Sequence, residues 1–109
     1  MKTIAICHLK GRVAPRYDNT NEFLVVTVNE RNDIVAEKIF TVAAVKPAEF
    51  ADELHRLKVN VLICGGVQED WQTVLRRNDI LLIDNVIGNI DDILERYLQN
   101  QLRRGEVVS

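Results

Sequence analysis

The two cysteines of this chain stand at the ends of hydrophobic runs, where they could bind metal. Residues 4–6 precede Cys7 and residues 61–63 precede Cys64, and His8 follows the first cysteine directly. Thiolate and imidazole groups are the soft and borderline ligands of transition metals and metal–sulfur clusters. Because none of the three lies in a Cys-x-x-Cys pair, a structural zinc site is disfavoured. We therefore take Cys7, His8 and Cys64 as candidate ligands of a metal or a metal–sulfur cluster.

A long basic segment follows the first cysteine. Residues 8–21 join two hydrophobic runs with more residues than a hairpin needs, and they contain Lys10, Arg12 and Arg16 against one acid, Asp18. Guanidinium groups can hold an anion through two parallel hydrogen bonds, and long loops in compact domains are often functional. Arg12 and Arg16 are therefore candidate anion-binding residues. The alternative is a solvated loop whose charges only keep the protein in solution.

The pair Gly65-Gly66 follows the second cysteine. Glycine allows the backbone to approach a ligand closely, and a helix that begins near Gln68 would direct unpaired amide groups to the same place. A tight turn between strand and helix also requires glycine when nothing binds, so both explanations stay open. The glycine spacing of a P-loop or a dinucleotide-binding fingerprint is absent.

Hydrophobic periodicity indicates the elements that must position these residues. Apolar runs predict five strands, at residues 2–7, 23–28, 34–40, 59–64 and 80–83. Apolar residues at helical spacing predict three helices, at 47–57, 68–77 and 90–102. This order predicts an α/β fold, a three-layer ribonuclease-H-like arrangement with a five-stranded mixed sheet in the order 3-2-1-4-5 and helices on both faces. The first and fourth strands are then parallel neighbours, and both cysteines lie at the edge where such sheets bind ligands.

Composition limits the remaining possibilities. A chain of 109 residues, 47% of them hydrophobic, predicts one domain at 1–102 and a flexible tail at 103–109. The net charge of -2 argues against nucleic acid as a partner, and the absence of a long apolar run argues against a membrane. Two cysteines without a signal-like segment favour the cytoplasm.

Enzyme signatures are missing from the sequence. It contains no nucleophile elbow, and residues 4–6 and 62–63 of the predicted strands offer none of the acids with which a ribonuclease-H-like nuclease holds its metals. We therefore expect that the protein is not an enzyme.

Several segments, in this order and spacing, carry a resemblance to a known family. They are residues 1–6, 11–15, 23–26, 59–67, 75, 79–80, 88–90 and 97–98. Together they resemble the dinitrogenase iron-molybdenum cofactor biosynthesis family, which includes NifX-like and NifB C-terminal domains. The resemblance implies a ribonuclease-H-like fold and a nitrogenase accessory role, the non-catalytic binding or carrying of an iron-molybdenum cofactor, its precursor or a related anionic metal–sulfur cluster. It also implies cluster-assembly or acceptor proteins as partners.

Two hypotheses therefore stand side by side. The first is a carrier that binds its cluster at Cys7, His8, Arg12, Arg16, Cys64, Gly65 and Gly66. The second is a metal-free protein-interaction or regulatory module on the same fold. The second depends on two departures from the family pattern: residues 16–18 read Arg-Tyr-Asp where His-Phe-Gly is common, and Gln68 replaces a frequent glycine.

Overall fold

The computed structural model of the chain describes residues 1–15, 22–42 and 46–108. Within these residues the elements are β1 Lys2–Leu9, β2 Arg12–Val13, β3 Glu22–Val28, β4 Ile34–Thr41, α1 Pro47–Arg56, β5 Val61–Ile63, α2 Glu69–Arg77, β6 Leu81–Ile83 and α3 Ile90–Leu98. None of the helices described is both long and apolar enough to cross a membrane.

One mixed sheet forms the centre of the fold. Five of its strands lie side by side in the order β4-β3-β1-β5-β6. This is the predicted order 3-2-1-4-5, since the five predicted strands correspond to β1, β3, β4, β5 and β6. β1 is antiparallel to β3 and parallel to β5, with Ile6 beside Ile63. The α/β class and the mixed sheet are therefore confirmed, whereas the ribonuclease-H-like classification stays a prediction.

The predicted number of five strands is wrong, because the described residues already form a sheet of six. Lys10 and Gly11 have φ angles of 50° and 79° and reverse the chain directly after β1. Such angles form the tight turns that join neighbouring antiparallel strands. β2 therefore returns along β1, with His8 opposite Val13. The prediction failed here because two strand residues are too few to show a period.

The two faces of the sheet carry different helices. Ala5 packs with Phe50 of α1 and Leu75 of α2, whereas Ile4 packs with Ile93 of α3, and all five are buried. Successive residues of a strand point to opposite faces, which explains the division. Each fully buried side chain of this size contributes about 1.5–3 kcal/mol relative to its exposed state. The predicted placement of helices on both faces is confirmed.

The third helix is shorter than its apolar spacing predicted. It begins at Asn89, whose side-chain oxygen accepts a hydrogen bond from the Asp91 amide at 2.9 Å. It ends at Leu98, and Asn100 follows with a φ of 58°. A residue in the left-handed region just beyond a helix closes it, which ends the helix before Leu102.

Residues 103–108, expected to belong to a loose tail, contact the rest of the chain. The Ile87 amide donates to the Glu106 carbonyl at 3.0 Å, and the Val108 amide donates to the Ile87 carbonyl at 2.8 Å. Arg96 forms an ion pair with Glu106 at 2.7 Å, and Val108 is buried beside α3. The sequence prediction did not foresee these contacts, because the segment has no hydrophobic period.

Candidate functional site

The sheet brings the two cysteines together. Ile6 and Ile63 are paired across β1 and β5, so Cys7 and Cys64 are the next residues of the two parallel strands. Both are fully buried on the face that packs against α1 and α2. Burial raises the pKa of the Cys7 thiol well above its ordinary value, and the adjacent Cys64 thiol raises it further. Cys7 is therefore protonated at neutral pH.

The backbone that follows β2 covers this pair. Ala14 is fully buried in the same hydrophobic cluster as the cysteines. The carbonyl oxygens of Ala14 and Pro15 cross Gly65 so closely that a β-carbon there would lie 2.3 Å from each. The Gly66 amide donates a hydrogen bond to the Pro15 carbonyl at 2.8 Å. Only glycine fits at position 65, because the backbone of Ala14 and Pro15 crosses it there. A ligand that approached this end of the sheet would contact that backbone before it reached the sulfur atoms.

The third candidate ligand lies apart from the thiols. His8 follows Cys7 in β1 and so points to the opposite face, where its partner Val13 packs beside α3. Its Nε2 accepts a hydrogen bond from the Gly11 amide at 3.3 Å. Its Nδ1 is shielded from solvent and has no hydrogen-bond partner among the described residues. The structure therefore brings Cys7 and Cys64 together but does not bring His8 to them.

A conventional metal centre is not formed by these side chains. In residues 1–15, 22–42 and 46–108 there is no group of three or more histidine, cysteine, aspartate and glutamate residues that could hold a metal ion. Two covered thiols, of which Cys7 is held in its protonated form, are a poor set of ligands, because the thiolate is the form that binds metal.

The basic turn lies at the same end of the sheet. Lys10 and Arg12 are exposed, and neither forms an ion pair within the described part of the chain. Arg12 lies opposite Asn89 in an isolated bridge, and the Gly11 carbonyl accepts from the Ile90 amide at 3.0 Å. These contacts hold the turn beside the start of α3. Arg16, the other predicted arginine, lies outside the described residues, as does Asp18.

Asp84 is a site residue that the sequence analysis missed. It follows β6 and is fully buried. Arg104 donates to it twice, from Nε to Oδ1 at 2.7 Å and from Nη2 to Oδ2 at 3.2 Å. The backbone amide of Asn85 donates to the Gly65 carbonyl at 2.9 Å. This bond joins the chain after β6 to the Gly65-Gly66 turn. The signal was the same as for the cysteines, a residue that directly follows an apolar run, residues 80–83.

The carboxyl ends of β1, β5 and β6 thus form one surface, on which charged and buried groups are separated. The cations of the basic turn are exposed, while the thiols, Gly65 and the only buried acid of the described structure are covered. We call this surface the sheet edge and define it by Lys10, Arg12, Gly66, Asn85 and Arg104. Such a surface can attract an anion through charge and through hydrogen bonds from the guanidinium of Arg12.

Solved structures share this fold across nearly the whole chain. The protein PH0822 has 15% identity and a TM-score of 0.82, covering 94% of this chain and 95% of its own. The apo form of the orange protein from Desulfovibrio gigas has 21% identity and a TM-score of 0.75, covering 95% and 92%. MJ0327 from Methanocaldococcus jannaschii has 15% identity and a TM-score of 0.70, covering 92% and 90%.

The sequence itself matches a family model. No protein with a curated functional description matches the chain. The model described as "Dinitrogenase iron-molybdenum cofactor" matches residues 1–100, which is nearly the full length. The resemblance that the motifs indicated is thereby confirmed, and the chain belongs to the dinitrogenase iron-molybdenum cofactor family.

Proposed function

We propose that this protein is a non-catalytic carrier that binds an iron-molybdenum cofactor, its precursor or a related anionic metal–sulfur cluster at the sheet edge. Family membership supports the class of ligand. The single observation that carries the proposal is the exposed pair Lys10 and Arg12, which has no ion-pair partner in the described structure and lies at the same end of the sheet as Cys7 and Cys64. Positive charge without a compensating acid attracts an anion.

Charge rather than sulfur makes the first contact in this proposal. The thiols of Cys7 and Cys64 are covered by the backbone at Ala14 and Pro15. The guanidinium of Arg12, and that of Arg16, would contact the sulfide-rich surface of the cluster, and Gly66 would line the site without a side chain in the way. Binding of this kind weakens as salt screens the charges.

Reconstitution under anaerobic conditions tests the proposal. The purified protein is incubated with iron, sulfide and molybdate, or with isolated iron-molybdenum cofactor, and bound metal is measured after gel filtration. We expect stoichiometric uptake by the wild type and a loss of about tenfold in affinity for a Lys10→Ala/Arg12→Ala variant. Arg76→Ala/Arg77→Ala is the matched control, since both arginines are exposed at the far end of α2.

A Cys7→Ala/Cys64→Ala variant separates charge from thiolate ligation. Uptake that survives in this variant supports a site held by charge, whereas its loss would show that the backbone cover opens and the sulfurs bind the cluster. Negligible uptake by the wild type itself contradicts the carrier proposal.

The second candidate is a metal-free protein-interaction or regulatory module, with a cluster-assembly or acceptor protein as its partner. The covered thiols and the lack of a three-ligand group in the described residues favour it. Affinity capture from native extract, followed by metal analysis of the complex, distinguishes the two. A stable complex without metal supports the module, and recovery of metal-loaded protein alone supports the carrier.

A further inference from the structure

The outer strand of the sheet has an open edge in the described structure. β4 is eight residues long and pairs there only with β3. Three of its apolar side chains are substantially exposed: Ile34 at 44%, Val35 at 50% and Ile39 at 50%. An edge of this length presents a row of backbone donors and acceptors to which another strand can pair.

A groove lies between this strand and α3. It has a volume of about 420 Å³ and is lined by Asn32, Ile34, Glu37, Asp91, Leu94, Glu95, Leu98 and Gln99. The three acids are exposed, and Leu94 and Leu98 form an apolar floor with Ile34. No lysine or arginine lines the groove. The charged side chains that line the groove are therefore all negative, and they favour an occupant with positively charged side chains.

One wall of the groove is held in place before anything binds. The Asn29 side-chain oxygen accepts from the amides of Arg31 and Asp33, at 2.9 and 3.0 Å. Asn32 has a φ of 62° and donates from its side chain to the Leu98 carbonyl at 3.3 Å. This contact ties the turn before β4 to the end of α3. A groove with fixed walls costs less conformational entropy to fill.

We propose that β4 and this groove form a docking site for an extended segment of a partner protein that carries both apolar and basic side chains on one face, at every second residue. The segment adds as a strand to the open edge of β4, which is a recurring mode of peptide recognition. Every second side chain then points to the α3 side. Apolar side chains contact Leu94 and Leu98, and lysine or arginine pairs with Glu37 or Glu95. This surface is distinct from the sheet edge, so the inference goes beyond the proposed function and does not depend on it.

Titration with synthetic peptides, followed by amide NMR shifts and by fluorescence anisotropy, tests the docking site. The probe is the eight-residue peptide Val-Thr-Lys-Thr-Val-Thr-Lys-Thr, whose valines and lysines share one face of a strand, and the control probe replaces lysine with glutamate. We expect saturable binding of the lysine peptide with shifts confined to β4, α3 and the turn before β4. A proline at the centre of the peptide removes a backbone donor and should weaken binding about tenfold.

Charge reversal supplies the matched comparison. Glu37→Lys/Glu95→Lys should weaken binding of the lysine peptide about tenfold. Asp52→Lys/Glu69→Lys makes the same change in net charge on exposed positions of α1 and α2 and should leave binding within about twofold. Circular dichroism shows that each variant is folded.

Three results of the peptide titrations would overturn the proposal. They are equal loss of binding in both charge-reversal variants, shifts on another surface, and no binding by the wild type. A dimer through β4 in sedimentation experiments would also overturn it, because a second copy would then occupy the edge.

Discussion

Arg104 holds the fully buried carboxylate of Asp84 through two hydrogen bonds, of 2.7 and 3.2 Å. The Gly105 amide donates to the Asp84 carbonyl at 2.9 Å, so backbone and side chain join the same two segments. These contacts attach the C-terminal stretch to the end of β6. They make Asp84 the residue on which the position of that stretch depends.

Removal of Arg104 should therefore destabilise the protein. Arg104→Ala leaves a buried carboxylate whose remaining side-chain donor is Asn85, at 3.3 Å. Hydrogen bonds to a charged group contribute about 1.5–3 kcal/mol, and because the Arg104 side chain is 58% exposed we expect a loss at the lower end, about 1.5 kcal/mol. Urea unfolding measures the change. Arg103→Ala is the control, since this exposed side chain should change stability by less than about 0.5 kcal/mol. Equal effects of the two variants would contradict the assigned role.

The chain crossing at Gly65 predicts an asymmetry between the paired glycines. Gly65→Ala places a β-carbon 2.3 Å from two backbone oxygens, whereas Gly66→Ala meets its nearest atoms at 3.6 and 3.8 Å. We expect Gly65→Ala to lower the free energy of unfolding by about 1–3 kcal/mol and Gly66→Ala to change it little. Thermal unfolding of the two variants checks this. Similar melting temperatures for both would show that the backbone at Ala14 and Pro15 yields easily.

Burial of the thiols predicts slow chemical modification. Cys7 and Cys64 are fully covered, and the raised pKa of Cys7 keeps it in the unreactive thiol form. An aromatic disulfide reagent should therefore modify the native protein far more slowly than the protein in urea, where both thiols should react. The rate is followed by absorbance. Immediate reaction of either thiol in the native state would show that the cover is open in solution.

The pKa of Cys7 also predicts how stability depends on pH. Because burial raises this pKa in the folded state, the unfolded chain loses the proton first as the pH rises above about 8.5. The unfolded state then binds fewer protons than the folded state, so the free energy of unfolding falls, by about 1.4 kcal/mol per pH unit. Urea unfolding between neutral and alkaline pH measures the slope. Cys7→Ala should remove this contribution, and an unchanged slope would contradict it.

Much of the fold follows from the sequence because its signals are local. Alternation and helical spacing of apolar residues predicted the strands and helices, and the rules for their connections predicted the strand order. From that order alone Cys7 and Cys64 become neighbours, as the pairing of Ile6 with Ile63 confirms. The separation of His8 from Cys7 also follows from the period of a strand. The prediction of one site for both residues overlooked that neighbouring side chains of a strand point to opposite faces.

The remaining features depend on contacts between distant parts of the chain. The crossing of Pro15 over Gly65 covers the thiols, and the pairing of Asp84 with Arg104 spans 20 residues. No residue pattern marks such contacts, because they exist only after the sheet and helices have packed. The sequence by itself determined the class of fold, the order of its strands and the family. Only the tertiary structure decided that the sulfurs are buried and the cations exposed, because burial is a property of the packed chain.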